Sequence, residues 1–174
     1  MDKLSLLAER LGQALVAKKA VIATAESCTG GGIGEAITRV SGSSAWFEAG
    51  FITYSNKQKI AMLGVAEKLF SQVGAVSQAV VEAMALGALK KSKADYAIAV
   101  SGVAGPTGGT EDKPVGTVWL AWACSEKNVS LKMHYSGDRQ SIRAQTIETA
   151  LAGVLALLNE QSVENWKIFS ETIA

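Results

Sequence analysis

Apolar residues at Leu4, Leu7, Ala8, Leu11, Ala14 and Leu15 recur with the spacing of one helix face, which predicts an amphipathic helix over residues 3 to 18. The apolar run Ala20-Val21-Ile22-Ala23 then predicts a first strand, with the helix placed to cover one face of its sheet. A turn rich in hydroxyls and glycines leads into a second helix through Ile33-Gly34-Glu35-Ala36-Ile37, and Ser41-Gly42-Ser43-Ser44 reads as a loop. Trp46 to Tyr54 is rich in aromatic and β-branched residues and predicts a second strand. Ser55 or Asn56 caps a short helix that Gly64 closes. A further helix begins near Ser77, with Val80, Met84 and Leu86-Gly87 as its inner face, and runs to Lys90-Lys91.

Tyr96 to Val100 follows as a strand, and Thr117 to Cys124 is apolar on both alternating faces, the mark of a strand covered on two sides. Ser125 to Asn128 turns the chain into Val129 to Ser136, so these last two strands are expected to pair as a hairpin. Asp138 is a good N-cap for a long closing helix carrying Ile142, Ile147, Ala150, Leu151, Val154, Leu155 and Leu158. The pattern therefore predicts one α/β domain over residues 1–174: a three-layer α/β/α sandwich around a mixed, mostly parallel sheet of about five strands. Trp166, Phe169 and Ile173 would share a helical face, folded back on the domain or offered to another subunit, with packing the favoured reading.

Three stretches carry candidate chemistry. The first is Thr24-Ala25-Glu26-Ser27-Cys28-Thr29-Gly30-Gly31-Gly32, where a strand gives way to hydroxyls and then to glycines at a helix start. Such a turn presents a polar side chain above the sheet edge beside free backbone N–H groups. It fits neither a dinucleotide fingerprint nor a phosphate-binding P-loop, and Gly-x-Ser-x-Gly and Ser-x-x-Lys are both absent. Ser27 and Thr29 are either an active-site pair or helix caps. The second stretch is Gly50 to Lys59, which would put the Tyr54 hydroxyl at the sheet edge and Lys59 about one helical turn along the next helix. A buried lysine there could serve as a base for Ser27, whereas an exposed one would be an ordinary helix residue.

The third stretch, Ser101 to Thr117, holds both of the chain's prolines and several of its glycines between two apolar strands. Its backbone N–H groups, Thr107, Thr110 and Lys113 could surround an anion such as phosphate, with Arg139 and Arg143 adding cations at the start of the last helix. Alternatively, the two arginines pair with Asp138 or Glu148 on the surface. His134, the only histidine, travels with the polar face of a late strand, which disfavours a Ser-His-Asp triad.

Composition narrows the function class. The 174 residues are 48% hydrophobic, and 17 basic against 16 acidic residues leave a formal charge of +1. That balance lacks the broad electropositive surface that dominates nucleic-acid affinity, so no nucleic-acid partner is expected. Cys28, Cys124 and His134 do not make a zinc site, so no metal is expected, and reduced thiols suit a cytoplasmic protein. No apolar run reaches the length of a membrane span, so no membrane role is expected either.

Taken together and in this order, several motifs closely resemble the C-terminal domain of competence/damage-inducible (CinA) proteins and its stand-alone relatives, the nicotinamide-nucleotide amidases (PncC type). The matching residues are Thr24 to Gly31, Gly42-Ser43-Ser44 with Phe47, Thr53-Tyr54-Ser55-Asn56 with Lys59 and Leu63-Gly64-Val65, and Gly74-Ala75-Val76-Ser77. They continue through Ser101-Gly102, Ala104-Gly105-Pro106, Lys113 to Val118, and Gly137-Asp138-Arg139 with Arg143. The resemblance implies hydrolysis of nicotinamide mononucleotide to nicotinic acid mononucleotide and ammonia in NAD salvage, by a homodimer that needs no cofactor. It also implies a serine nucleophile with a lysine partner and a nearby tyrosine, which fall on Ser27, Lys59 and Tyr54. A non-catalytic nucleotide-binding or competence-related interaction module is the alternative.

On this reading Lys59 takes the Ser27 proton, directly or through Tyr54, and backbone N–H groups near Cys28 and Thr29 receive the oxyanion. Substrate contacts are expected from Glu26, Cys28, Thr29, Gly30 and Asn56. The phosphate is expected toward Gly105, Thr107, Gly108 and Arg139. For Glu26, orienting Lys59, facing the pyridinium and capping backbone stay open.

Overall fold

The computed structural model describes residues 2–171. Five strands, β1 (Ile22–Glu26), β2 (Phe47–Ile52), β3 (Tyr96–Gly102), β4 (Thr117–Cys124) and β5 (Asn128–His134), form one sheet in the order β2-β1-β3-β4-β5. β1 pairs in parallel with β2 and with β3, whereas β4 is antiparallel to both β3 and β5. Four strands thus point one way and β4 alone runs against them. Helical crossovers return the chain to the same end before β2 and β3, while direct connections fold it back on either side of β4.

Helices α1 (Lys3–Lys18), α2 (Gly32–Thr38) and α6 (Arg139–Leu158) lie on one face; α5 (Gln78–Ser92) lies on the other, with α3 (Asn56–Leu63) against it. The two sheet faces differ in side-chain size. Ile98, Val100, Val118, Leu120 and Trp122 form one core with Leu7, Leu11, Leu15, Ile37, Leu151 and Leu155. Ala97, Ala99, Ala121 and Ala123 meet Val80, Val81, Met84, Ala85 and Ala88 in the other. Alanines keep that face low, so the single helix α5 approaches closely. At Gly87 the helix also meets α3 closely: an added Cβ would lie 2.1 Å from the Leu63 carbonyl oxygen.

Several boundaries move from the expected ones. β1 extends through Thr24 and Ala25 to Glu26, all buried, so the turn begins at Ser27 rather than Thr24. β2 ends at Ile52, leaving Thr53 and Tyr54 to cross from the sheet to α3, which Ser55 caps by accepting from the Gln58 N–H. A short helix, α4 (Lys68–Gln72), lies where no element was expected. Val80, Met84 and Gly87 are buried as expected, but Leu86 is 47% exposed, and Val81, Ala85 and Ala88 widen the buried face of α5 on the side away from it. In the final helix α7 (Trp166–Glu171), Trp166 and Phe169 pack on the core; Ile173 lies outside the described residues. Among the described residues, no helix is long and apolar enough to cross a membrane.

Candidate active site

The chain leaves the sheet at Ser27, whose N–H donates to the Val100 carbonyl on β3 at 3.2 Å. Gly30 and Gly31 follow with φ of 57° and 97°, a left-handed path that only glycine takes without strain, and α2 starts directly after them. Because Gly31 offers no side chain to cap α2, the cap comes from the strand. Glu26, 1% exposed, accepts from the Gly31, Ile33 and Gly34 N–H groups at 3.1, 3.0 and 2.9 Å, and from the Thr29 hydroxyl at 2.6 Å. The positive end of the helix and these donors hold a buried carboxylate. Of the three readings left open for Glu26, the geometry selects backbone capping.

Ser27 remains partly exposed above this turn. Lys59, in the first turn of α3, reaches back so that its Nζ lies 2.9 Å from Ser27 Oγ and donates to the Thr53 carbonyl at 2.9 Å. Lys59 is 1% exposed, and burial holds its ammonium pKa below the ordinary lysine value, a shift opposed only by the neighbouring Cys28. No carboxylate offsets that burial: the ion pairs among the described residues are Lys3 with Glu148 and Arg39 with Asp2 and Glu35. The arrangement can supply a neutral amine beside a serine hydroxyl, the requirement for a base that activates a nucleophile.

A second cluster sits where Tyr54 follows Thr53. Asp138 caps α6 by accepting from the Ser141 N–H at 2.8 Å, which places Arg139 in the first turn. Arg139 Nη1 donates to the Gly105 carbonyl and Nη2 to the Tyr54 hydroxyl, each at 2.9 Å. Tyr54 is 60% exposed and its oxygen is held by Arg139, while Lys59 reaches Ser27 without it. No tyrosine hydroxyl is therefore interposed between Lys59 and Ser27.

The remaining candidates divide. Gly105 and Gly108 have φ of 73° and 88°, and Thr107, Gly108 and Asn56 are exposed at the rim. Lys113 Nζ donates to the Val73 carbonyl at 2.6 Å, tying the loop to the segment before α5. Arg143 does not pair with Glu148; its Nη2 donates to the Thr29 carbonyl at 2.8 Å. Cys28 and Thr29 are buried, and burial pushes the Cys28 thiol up to about 12. His134 is exposed at the end of β5. Among the described residues, no three His, Cys, Asp or Glu side chains are grouped to hold a metal ion. Sequence reasoning missed the Thr53 carbonyl, which had no signal because it is main chain. It also missed the grip of Arg143 on the turn, which the charge at the start of α6 hinted at without a partner.

A model of the CinA C-terminal domain matches residues 4–158, a span that includes both clusters. This chain belongs to the CinA C-terminal domain family. Among CinA-family relatives, it is 60% identical over 160 residues to the nicotinamide-nucleotide amidohydrolase PncC of Pseudomonas putida, covering 92% of this chain and 100% of that protein. It is 51% identical over 165 residues to the PncC of Escherichia coli strain K12, covering 94% and 98%. The competence/damage-inducible protein CihA of Agrobacterium tumefaciens has a crystal structure with the same CinA fold, at a TM-score of 0.88 and 42% identity over 91% of this chain and 97% of that one.

Proposed function

We propose that this protein is a nicotinamide-nucleotide amidohydrolase, converting nicotinamide mononucleotide and water to nicotinic acid mononucleotide and ammonia. The observation that carries the chemistry is the contact between buried Lys59 Nζ and Ser27 Oγ at 2.9 Å. Neutral Lys59 removes the Ser27 proton as Oγ attacks the carboxamide carbon, and the C–O bond forms as the carbonyl becomes an oxyanion. The N–H groups of Ser27, Gly30 and Gly31 are already committed to Val100, Ser27 and Glu26, which leaves those of Cys28 and Thr29 for the oxyanion. Lys59 then returns its proton to the leaving nitrogen, ammonia departs, and water deprotonated by the same amine hydrolyses the ester.

The substrate assignment is supported by the names of the close relatives and by Arg139, an exposed guanidinium beside a glycine-rich loop at the same end of the sheet. A cytoplasmic homodimer goes with this reading, by resemblance to the family and with both cysteines unbonded. Light scattering on the eluting protein tests the dimer. For the activity, the test is ammonia release from nicotinamide mononucleotide by wild type and by Ser27→Ala, paired with calorimetric binding. The variant should bind and not turn over. Binding by wild type without ammonia release would replace the enzyme by a nucleotide-binding module.

A further inference from the structure

Thr29 is held from both ends. Its hydroxyl donates to Glu26 Oε2 at 2.6 Å, and its carbonyl accepts from Arg143 Nη2 at 2.8 Å. The two partners come from distant parts of the fold, Glu26 from the end of β1 and Arg143 from the second turn of α6, and Thr29 between them is 0% exposed. Neither partner is occupied by a charge of opposite sign: Glu26 accepts only from backbone and hydroxyl groups, and Arg143 forms no ion pair among the described residues. Both charges are therefore spent on the turn itself. The turn needs such anchoring because its backbone passes through two left-handed glycines, Gly30 and Gly31, which have wide conformational freedom.

We propose that Glu26, Thr29 and Arg143 form a clamp that fixes the Ser27–Gly31 turn, making Thr29 a positioning residue for the nucleophile and for the N–H groups that receive the oxyanion. The inference rests on the amidohydrolase reading. The clamp limits how Thr29, and with it the peptide that carries the Thr29 N–H, can turn, because rotating the residue would break the bond of its carbonyl to Arg143 or that of its hydroxyl to Glu26. Donors aimed at a developing charge act only while their geometry is held, and misplacement by about 1 Å costs on the order of a hundredfold in rate. The clamp touches neither Lys59 Nζ nor the Arg139 cluster, so loosening it should leave both the base and phosphate recognition in place.

The experiment compares Thr29→Val, which keeps the shape and removes the hydroxyl, with Thr29→Ser, which keeps the hydroxyl and removes the methyl. Two readouts are taken: steady-state ammonia release across pH, and the rate at which a fluorophosphonate probe labels Ser27, followed by intact mass. Thr29→Val should lower kcat by roughly ten- to a hundredfold, with KM within about twofold and the pH midpoint of wild type, and should slow labelling similarly. Thr29→Ser should recover most of both rates. Full kcat in folded Thr29→Val, or a Thr29→Ser as impaired as Thr29→Val, would overturn the clamp. If wild type labels at Ser27 yet releases no ammonia, the substrate assignment fails alone, and the labelling rates still decide the clamp.

Discussion

Replacing Lys59 by Met removes the amine while keeping an unbranched stem in the same buried space, and it separates two consequences of one group. The first is catalytic. A positioned general base contributes about a hundredfold to ten-thousandfold, or roughly 2.7–5.4 kcal/mol at 1.36 kcal/mol per decade, so kcat in Lys59→Met should fall by that factor. In wild type, kcat should drop as pH falls through the lowered lysine pKa, because only the neutral amine takes a proton. Measuring kcat at saturation, by coupled ammonia assay, confines the substrate phosphate's own ionisation near pH 6 to KM. The second consequence is stability. The unfolded lysine titrates at about 10.4 and the folded one lower, so between the two values the unfolded chain binds more protons and stability rises with pH. Below the folded pKa, the full penalty of burying an unpaired ammonium persists, since no carboxylate offsets it. The melting temperature of wild type should therefore climb from neutral pH toward pH 10 relative to Lys59→Met, in which that contribution is absent. A wild-type kcat that stays flat from pH 9 down to pH 5, or a Lys59→Met with wild-type turnover, would refute the reasoning.

Arg139→Ala should lower kcat/KM for nicotinamide mononucleotide by roughly ten- to a hundredfold while changing use of the unphosphorylated riboside little, as befits a lost charge-assisted bond worth about 1.5–3 kcal/mol. Equal losses on both substrates would mean that its bonds to Tyr54 and Gly105 support the site rather than the phosphate. Thr53 Oγ1 is buried without a partner, so Thr53→Val should melt no lower than wild type and up to about 1 kcal/mol more stably; a loss of stability would show that the hydroxyl has a bonding role. Gly87→Ala should destabilise by about 1–3 kcal/mol or more in denaturant titrations, because the Leu63 carbonyl it meets is main chain and cannot swing aside.

The elements of the fold were legible because their periodicities are local. The helix face of Leu4 to Leu15, the doubly buried run from Thr117 to Cys124 and the Asp138 cap each declare an element within a few residues. What pattern could not supply was the edge of the buried face of α5. Its sequence is apolar nearly all round, so several faces are equivalent, and the choice among them falls to the alanine-lined sheet, which accepts Ala85 and Ala88 closely and leaves Leu86 outside. Helix α4 was missed because five residues with no buried side chain leave no periodic signature.

In the candidate site, residue types could be named from the sequence, but their division of labour could not. Ser27 and Lys59 stand 32 positions apart, Tyr54 and Arg139 85, and Thr29 and Arg143 114, and each pairing is set by the crossover connections rather than by spacing. Glu26 shows the consequence most clearly. In the linear chain it is a carboxylate beside a serine, which invites a role toward substrate or base. Once β1 continues through it, its side chain meets the free N–H groups of α2, and four donors claim its oxygens at 3.1 Å or less. The negative charge is thereby directed toward the helix, and Lys59 forms no ion pair with it. A carboxylate paired with that amine would favour the ammonium and work against a base that must be neutral, so the capping by Glu26 is compatible with the basic role proposed for Lys59 only because the turn keeps the two unpaired.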